Sequence, residues 1–493
     1  MAEPAVAPRP PLGRLALYLL LGFSAGLPFY MFNAVLLLRL ARHDVDIVLI
    51  GFFAWVALLP TFKFAWAPLL DRFAIPGFSR FWGNRRGWIM LSQLGIFLSM
   101  VAMAATSGDK SLPLTALFAV LLAFWTTTLE VAADGWRIEL APTQAEQGPM
   151  VAANLWGYRG AMVAAGSGAV YVAGQLDWTW AYLAIAAAAF LPFPILCAMR
   201  PTAPSPPGGR RLEALATGLV ASVVILLLSV AATAAIGWVM LAVAAQIGIS
   251  SKSNVTPFVL AIALLPFVVL ALALPRIRRM PPDAPALRST AIGPYVDIFW
   301  RYGYRVLPLL GFVAIYRMGD VMTLTLSHPL WNARGYSLNQ IAFADGWIAL
   351  PASMAGVTLG GWLAVRWPLR LALTAAALGS AIGNWVFVWL WKVPPSNFVI
   401  YLSAGMDQFA HGLEGAVFVV YLSMLVNPRY PVAQYAFLSG FAFLLPRLVA
   451  GASGAMQTRI GYDGFFWLAG GLSAAAILIL PFIANLKART DGG

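Results

Sequence analysis

The chain has 493 residues, 61% of them hydrophobic and only 10% charged, with a mean hydropathy of +0.79. Soluble domains carry about a quarter charged residues, and disorder needs low hydrophobicity with high charge, so the composition argues against a soluble enzyme and against a disordered chain. Cys197 is the sole cysteine, which excludes a disulfide scaffold. The apolar runs are long and continuous, unlike the short alternating strands of an outer-membrane barrel.

Runs long enough to cross a bilayer, about 20 residues each, lie at 15–38, 47–69, 87–106, 113–135, 150–174 and 178–198. Two more follow at 214–246 and 256–275. The last six lie at 304–331, 339–365, 370–392, 397–425, 432–455 and 463–486. The pattern reads as six, two and six: an all-α polytopic membrane protein of about fourteen spans.

The net charge of +13 is not gathered into the single basic patch that nucleic-acid binding requires. It sits in alternate loops. Arg72, Arg80, Arg85 and Arg86 follow the second run, and Arg200, Arg210 and Arg211 follow the sixth. Arg276, Arg278, Arg279 and Arg288 follow the eighth, and Lys487 and Arg489 end the chain. The opposite loops hold only scattered cations such as Lys110, Arg334, Lys392 and Arg459. Positive-inside placement then puts both termini in the cytoplasm. The first apolar run is too long for a signal h-region and reads as a retained span.

Two Pro-rich basic stretches, 201–211 and 276–290, read as unpacked linkers around the extra pair. The domain division is therefore 1–200, a six-helix bundle; 201–290, linkers with two extra helices; and 291–493, a second six-helix bundle. The halves read as distant copies. Arg159 and Arg447 lie 447 − 159 = 288 residues apart, and Glu130 and Asp407 lie 407 − 130 = 277 apart. Two such halves are the pattern of many secondary transporters, among them the major facilitator superfamily.

Ionisable residues inside spans cost about 2.5–3.5 kcal/mol at the helix centre on the insertion scale, so they are the informative positions. Glu130 and Asp134 are four apart on one helix face, making one of them a candidate proton carrier; Arg137 is an alternative, structural partner for Asp134. Asp407, His411 and Glu414 form one stripe able to hold and pass protons. Gly405, Gly412 and Gly415 beside it read as close-approach positions. Arg317 and Asp320, three apart, either pair with each other or face a cavity. His328 reads as interfacial.

Lys63, about 12 Å deeper than Asp71 by helix rise, reads either as a lysine snorkelling to the inner surface or as a cavity residue, the depth favouring the cavity. Arg159 and Arg447 can grip carboxylates with a guanidinium fork. Asp71, Arg72, Arg85 and Arg86 lie in a cytoplasmic turn and read either as a latch that holds the two halves in one state or as an ordinary positive-inside loop. One imidazole with two carboxylates specifies no transition metal, and no nucleotide loop, GxSxG or HExxH motif is present.

Several segments together carry a family resemblance: GFSAGLPFYM (22–31), IGFFAWVALLPTFKFAWAPLLDR (50–72), RRGW (85–88), LEVAADGWRIE (129–139), GYRGAM (157–162), YRMGD (316–320) and QYAFLSGFAFLLPR (434–447). The chain resembles the AmpG-type muropeptide permeases, a branch of the major facilitator superfamily. The resemblance implies proton-driven import of N-acetylglucosamine–anhydro-N-acetylmuramic acid, with or without stem peptide, from periplasm to cytoplasm. That import serves cell-wall recycling and, in some bacteria, β-lactamase induction. It implies a monomer in the bacterial inner membrane, with no cofactor beyond the proton gradient and an amino-sugar or peptide substrate as its partner. Family members usually have Gln–Asp where this chain has Leu129 and Glu130. Relatives that carry acetyl-CoA or siderophores, and a non-transporting assembly factor of the same fold, are the alternative readings.

On this reading the proton-coupling candidates are Glu130, Asp134, Asp320, Asp407, His411 and Glu414. The substrate-binding candidates are Lys63, Tyr158, Arg159, Arg317, Gln408 and Arg447, and the gating candidates are Asp71, Arg72, Arg85 and Arg86.

Overall fold

A computed structural model describes residues 10–43, 54–106, 111–200, 213, 215–228, 230–231, 252–289 and 291–483. The linker 201–211, the basic tail residues Lys487 and Arg489, and much of the run 214–246 lie outside them. The described chain is helical almost throughout. Its principal helices are α1 (Leu12–Tyr30), α2 (Asn84–Ala105), α3 (Leu112–Leu140), α4 (Gln144–Val163), α5 (Trp178–Phe190) and α6 (Lys252–Ile277). They continue with α7 (Gly293–Tyr302), α8 (Val306–Tyr316), α9 (Met318–Ala333), α10 (Leu350–Arg366), α11 (Leu369–Lys392), α12 (Asn397–Leu425), α13 (Pro431–Gly451) and α14 (Ser453–Ile483).

Ten helical stretches among the described residues are long and apolar enough to cross a membrane. Four of the fourteen expected spans are not among them. The run 47–69 is a 3-10 helix over Ala54–Ala65 in its described part, and 150–174 falls on the more polar α4 and its continuation. The extra pair is represented by shorter apolar helices at 215–228 and 264–277. Val220, Val223, Leu227, Leu265 and Leu272 lie bare on these helices, as lipid-facing residues do.

The chain forms two compact units, one from Gly13–Leu140 with Trp156–Val259, the other from Ala141–Leu155 with Leu260–Gly493. In the first, Gln93 of α2 donates to Ser24 of α1 (3.3 Å), and Ser24 donates to the Ala189 carbonyl of α5 (2.6 Å). In the second, Asn384 of α11 donates to Ser473 of α14 (3.1 Å), and Gly319 of α9 abuts that same serine. Arg39 donates to the Met103 and Thr106 carbonyls at the end of α2; Arg334 donates to the Val393 carbonyl at the end of α11. Each arginine satisfies helix-end carbonyls that have no partner within their own helix.

These pairs show that the two units repeat one design, and they also correct its register. α3 and α12 are both 29 residues long, and their starts lie 397 − 112 = 285 residues apart. Glu130 is therefore level with Gly415, beside Glu414, and Asp407 is level with Leu122. The Glu130–Asp407 correspondence read from the sequence is more than two helical turns out of step.

The second linker is packed, contrary to its Pro-rich reading. Pro285 opens a short helix at Pro285–Arg288, where a missing N–H costs nothing. Tyr430 donates to the Leu287 carbonyl (3.1 Å), and Trp300 donates to that of Met280 (3.0 Å). α6 is held to α13 by Phe267 stacked on Phe437, with ring centroids 4.3 Å apart.

Candidate functional site

The densest set of buried charges lies in the second unit, and a helix break creates it. Arg317 stands between α8 and α9 with non-helical backbone angles, which frees its guanidinium from either helix face. Its Nη1 lies 3.0 Å from Asp320 Oδ2 and 4.0 Å from Glu414 Oε2. His411 Nδ1 lies 2.7 Å from the same Asp320 oxygen. Arg317 and Asp320 are buried and Glu414 is wholly so. Gly412 brings α12 against α10, since a Cβ there would collide with the Ser353 carbonyl, and a Cβ on Gly415 would sit 3.6 Å from Arg317 Nη1.

The arrangement joins two segments that the sequence presents separately. Arg317 and Asp320 do pair, and the pair is also part of the α12 stripe. Phe443 of α13 lies between two cations, with Arg317 5.6 Å and Arg447 5.8 Å from its ring centroid. Phe443 was missed by sequence reasoning, because an aromatic residue in an apolar run carries no signal of its own. Asp407 sits one turn from His411 and accepts from Gln408 Nε2 (3.0 Å).

The first unit holds three smaller groups. Glu130, half-buried on α3, feels Lys63 as its charge of opposite sign and Asp134 as one of like sign. Asp134 itself takes the Arg137 guanidinium at 2.9 Å. Tyr158 and Arg159 on α4 meet an aromatic group at the end of α1. The Phe29 ring lies 6.0 Å from that of Tyr158 and 5.4 Å from that of Phe32, and Tyr30 lies 6.3 Å from Tyr158. Arg159 acts electrostatically on the Tyr30 hydroxyl. Gly157 permits this meeting, because a Cβ there would fall on the Leu19 carbonyl of α1. A π-turn at Met31–Val35 follows the aromatic group, and such turns are frequent at functional sites.

The third group is the charged turn. Arg85 Nη2 reaches Asp71 Oδ1 at 2.7 Å and Glu139 Oε1 at 2.8 Å, and Nη1 donates to the Leu70 carbonyl. Glu139 was given no role in the sequence reading, although its motif was singled out. Arg86 leaves this network and donates to the Arg200 carbonyl (2.7 Å), while Arg72 is exposed. Among the described residues, no group of three or more His, Cys, Asp or Glu side chains could hold a metal ion.

No family model matches the chain. It is similar to a Rickettsia conorii protein named as transporter AmpG 4, 26% identical over 95% of this chain and 96% of that one. It is similar to the anhydromuropeptide permease of Escherichia coli K12, 22% identical over 95% of this chain and 79% of that one. Among solved structures, the proton:xylose symporter XylE bound to 6-bromo-6-deoxy-D-glucose superposes with a TM-score of 0.58 at 14% identity, covering 97% of this chain and 96% of that one. The fold is that of the major facilitator superfamily. The AmpG resemblance read from the motifs thus extends over nearly the whole chain, and the chain is a multi-pass membrane protein with transporter relatives. Within the major facilitator fold, the charged sets above occupy α3, α4, α9 and α12, with the Arg85 network joining α2 and α3 to the turn that carries Asp71.

Proposed function

We propose that the chain is a proton-coupled importer of peptidoglycan turnover products, moving N-acetylglucosamine–anhydro-N-acetylmuramic acid, with or without peptide, from periplasm to cytoplasm across the bacterial inner membrane. Both termini are cytoplasmic and a monomer is the working unit. Imported fragments feed cell-wall recycling and, where the cell couples the two, β-lactamase induction.

The observation that carries this reading is the set of buried Arg317, Asp320 and Glu414 with the partly exposed His411 beside them. One guanidinium faces two carboxylates, and isolated charge away from water is costly. The set is neutral only when one further proton is held on His411 or Glu414. Taking up and releasing that proton switches the set between two charge states, which is what coupling to a gradient requires. Glu130 with Lys63 offers a second such position.

The substrate side rests on the first unit. A muropeptide has pyranose faces and carboxylates. Phe29, Tyr30 and Tyr158 supply rings on which a sugar can stack, and Arg159 supplies a fork for a carboxylate. In the second unit, Arg447 offers a further fixed cation. Asp71, Arg85 and Glu139 form the latch that stabilises one transport state.

The test is uptake of labelled anhydro-disaccharide into proteoliposomes with and without an inward proton gradient. Accumulation that collapses with a protonophore is the expected result. Uptake indifferent to the protonophore overturns the coupling. Absence of uptake by folded protein overturns the substrate, and acetyl-CoA and siderophores are then tried.

A further inference from the structure

His328 Nε2 lies 2.8 Å from Asp345 Oδ2, and both side chains are about half exposed. Asp345 belongs to a π-turn, Ala344–Ala349, that interrupts the helix leading into α10. A π-turn adds a residue to the helical turn and re-aims the side chains around it. Here it sets Asp345 against the far end of α9. The same turn packs on α12, where a Cβ on Gly405 would sit 3.3 Å from Ile348. Asp407 of α12 acts electrostatically on His328 along with Asp345.

The neighbouring charges are engaged elsewhere. Arg334 is turned to the Val393 carbonyl and the Trp391 ring, and Lys392 pairs with Asp463 at 3.4 Å. Trp331 covers one edge of the imidazole, with ring centroids 5.0 Å apart. Among the described residues, the charges that act on His328 are the carboxylates of Asp345 and Asp407.

The spacing gives this pair a direction. His328 is eight residues beyond Asp320 on α9, about 12 Å along the axis, and Asp407 is four residues before His411 on α12, about 6 Å. Asp407 therefore stands at intermediate depth between an exposed pair and the buried set in which His411 meets Asp320.

We infer that His328 and Asp345 form a proton-collecting port, which takes protons from the outer solution and hands them through Asp407 to the buried set around Asp320. The pair gains a proton from the bulk acid and returns to its starting charge when that proton passes to the Asp407 carboxylate. Histidine is suited to this because its charge changes in the physiological range. The inference rests on proton-coupled import and on the outward placement of this end of α9.

The test compares the wild type with His328→Gln, Asp345→Asn and Asp345→Glu in proteoliposomes, using labelled anhydro-disaccharide. A port limits transport only when outside protons are scarce. The first two variants should therefore lose about fivefold or more of the initial driven rate near pH 8, yet match the wild type near pH 5.5. Counterflow exchange without a gradient should be unchanged in both. Asp345→Glu should recover most of the lost rate. Variant profiles that superpose on the wild type overturn the port, and so does an equal loss of counterflow, which marks a structural role. A wild type without gradient-driven uptake overturns the transport reading itself, a result visible before any variant is compared.

Discussion

The Nδ1 of His411 lies 2.7 Å from Asp320 Oδ2, so the break at Arg317 and the acidic stripe of α12 form one electrostatic unit. Removing one member of such a buried set costs more than removing a matched pair, because a charge is left without compensation. Arg317→Met leaves Asp320 and Glu414 without their cation and should destabilise the protein by about 3–5 kcal/mol, whereas Asp320→Asn leaves Arg317 facing Glu414 and should cost less. The double variant Arg317→Met with Asp320→Leu should cost less than Arg317→Met alone. Thermal unfolding in detergent checks this. A double variant no more stable than Arg317→Met would show that Asp320 is not what the guanidinium compensates.

Gly157 and Gly160 lie three residues apart on α4 and should respond unequally to alanine. A Cβ at Gly157 falls on the Leu19 carbonyl, whereas at Gly160 its nearest neighbour is the Phe23 ring at 3.7 Å. Gly157→Ala must push α4 from α1 and spread the aromatic group, at about 1–3 kcal/mol of overpacking. Gly160→Ala should stay within about 0.5 kcal/mol of the wild type. Disaccharide affinity, measured by counterflow at several concentrations, should fall for the first variant alone.

The fold class was legible in the sequence because a bilayer demands long apolar runs, and runs are visible without any tertiary knowledge. The segment Ala54–Ala65 was not legible as a 3-10 helix, since periodicity cannot see which backbone hydrogen bonds a Pro60-containing helix makes. The residues Arg317, Asp320, His411 and Glu414 were all singled out, because ionisable side chains in apolar runs are conspicuous. That Asp320 meets His411 was hidden, because the meeting depends on how α9 and α12 cross. Glu139 went unassigned for a related reason: a lone carboxylate at a helix end looks like ordinary solvated charge until Arg85 is placed beside it.

Arg85 holds two carboxylates of unequal burial. The side chain of Asp71 is 2% exposed and that of Glu139 is 39% exposed. Water can replace the arginine for Glu139 but not for Asp71, and exposed pairs contribute about 0–1 kcal/mol. Asp71→Asn should therefore reduce the maximal uptake rate about tenfold or more, and Glu139→Gln by less than about threefold, with about 1.4 kcal/mol corresponding to each factor of ten. Initial rates at saturating substrate decide it. Equal losses would show that both carboxylates act together in the latch.

Lys63 and Glu130 should be separable by the assay used. Glu130→Gln removes a titratable group while keeping its shape, so pH-gradient-driven accumulation should disappear while counterflow persists within about threefold. Lys63→Met leaves Glu130 without its opposing charge and should lower both activities, because an uncompensated charge inside the membrane is costly. Adding Glu130→Gln to Lys63→Met removes that charge as well. Counterflow should then recover, while accumulation stays absent. Full accumulation by Glu130→Gln alone would remove Glu130 from the coupling path and leave Asp320, His411 and Glu414 to carry it.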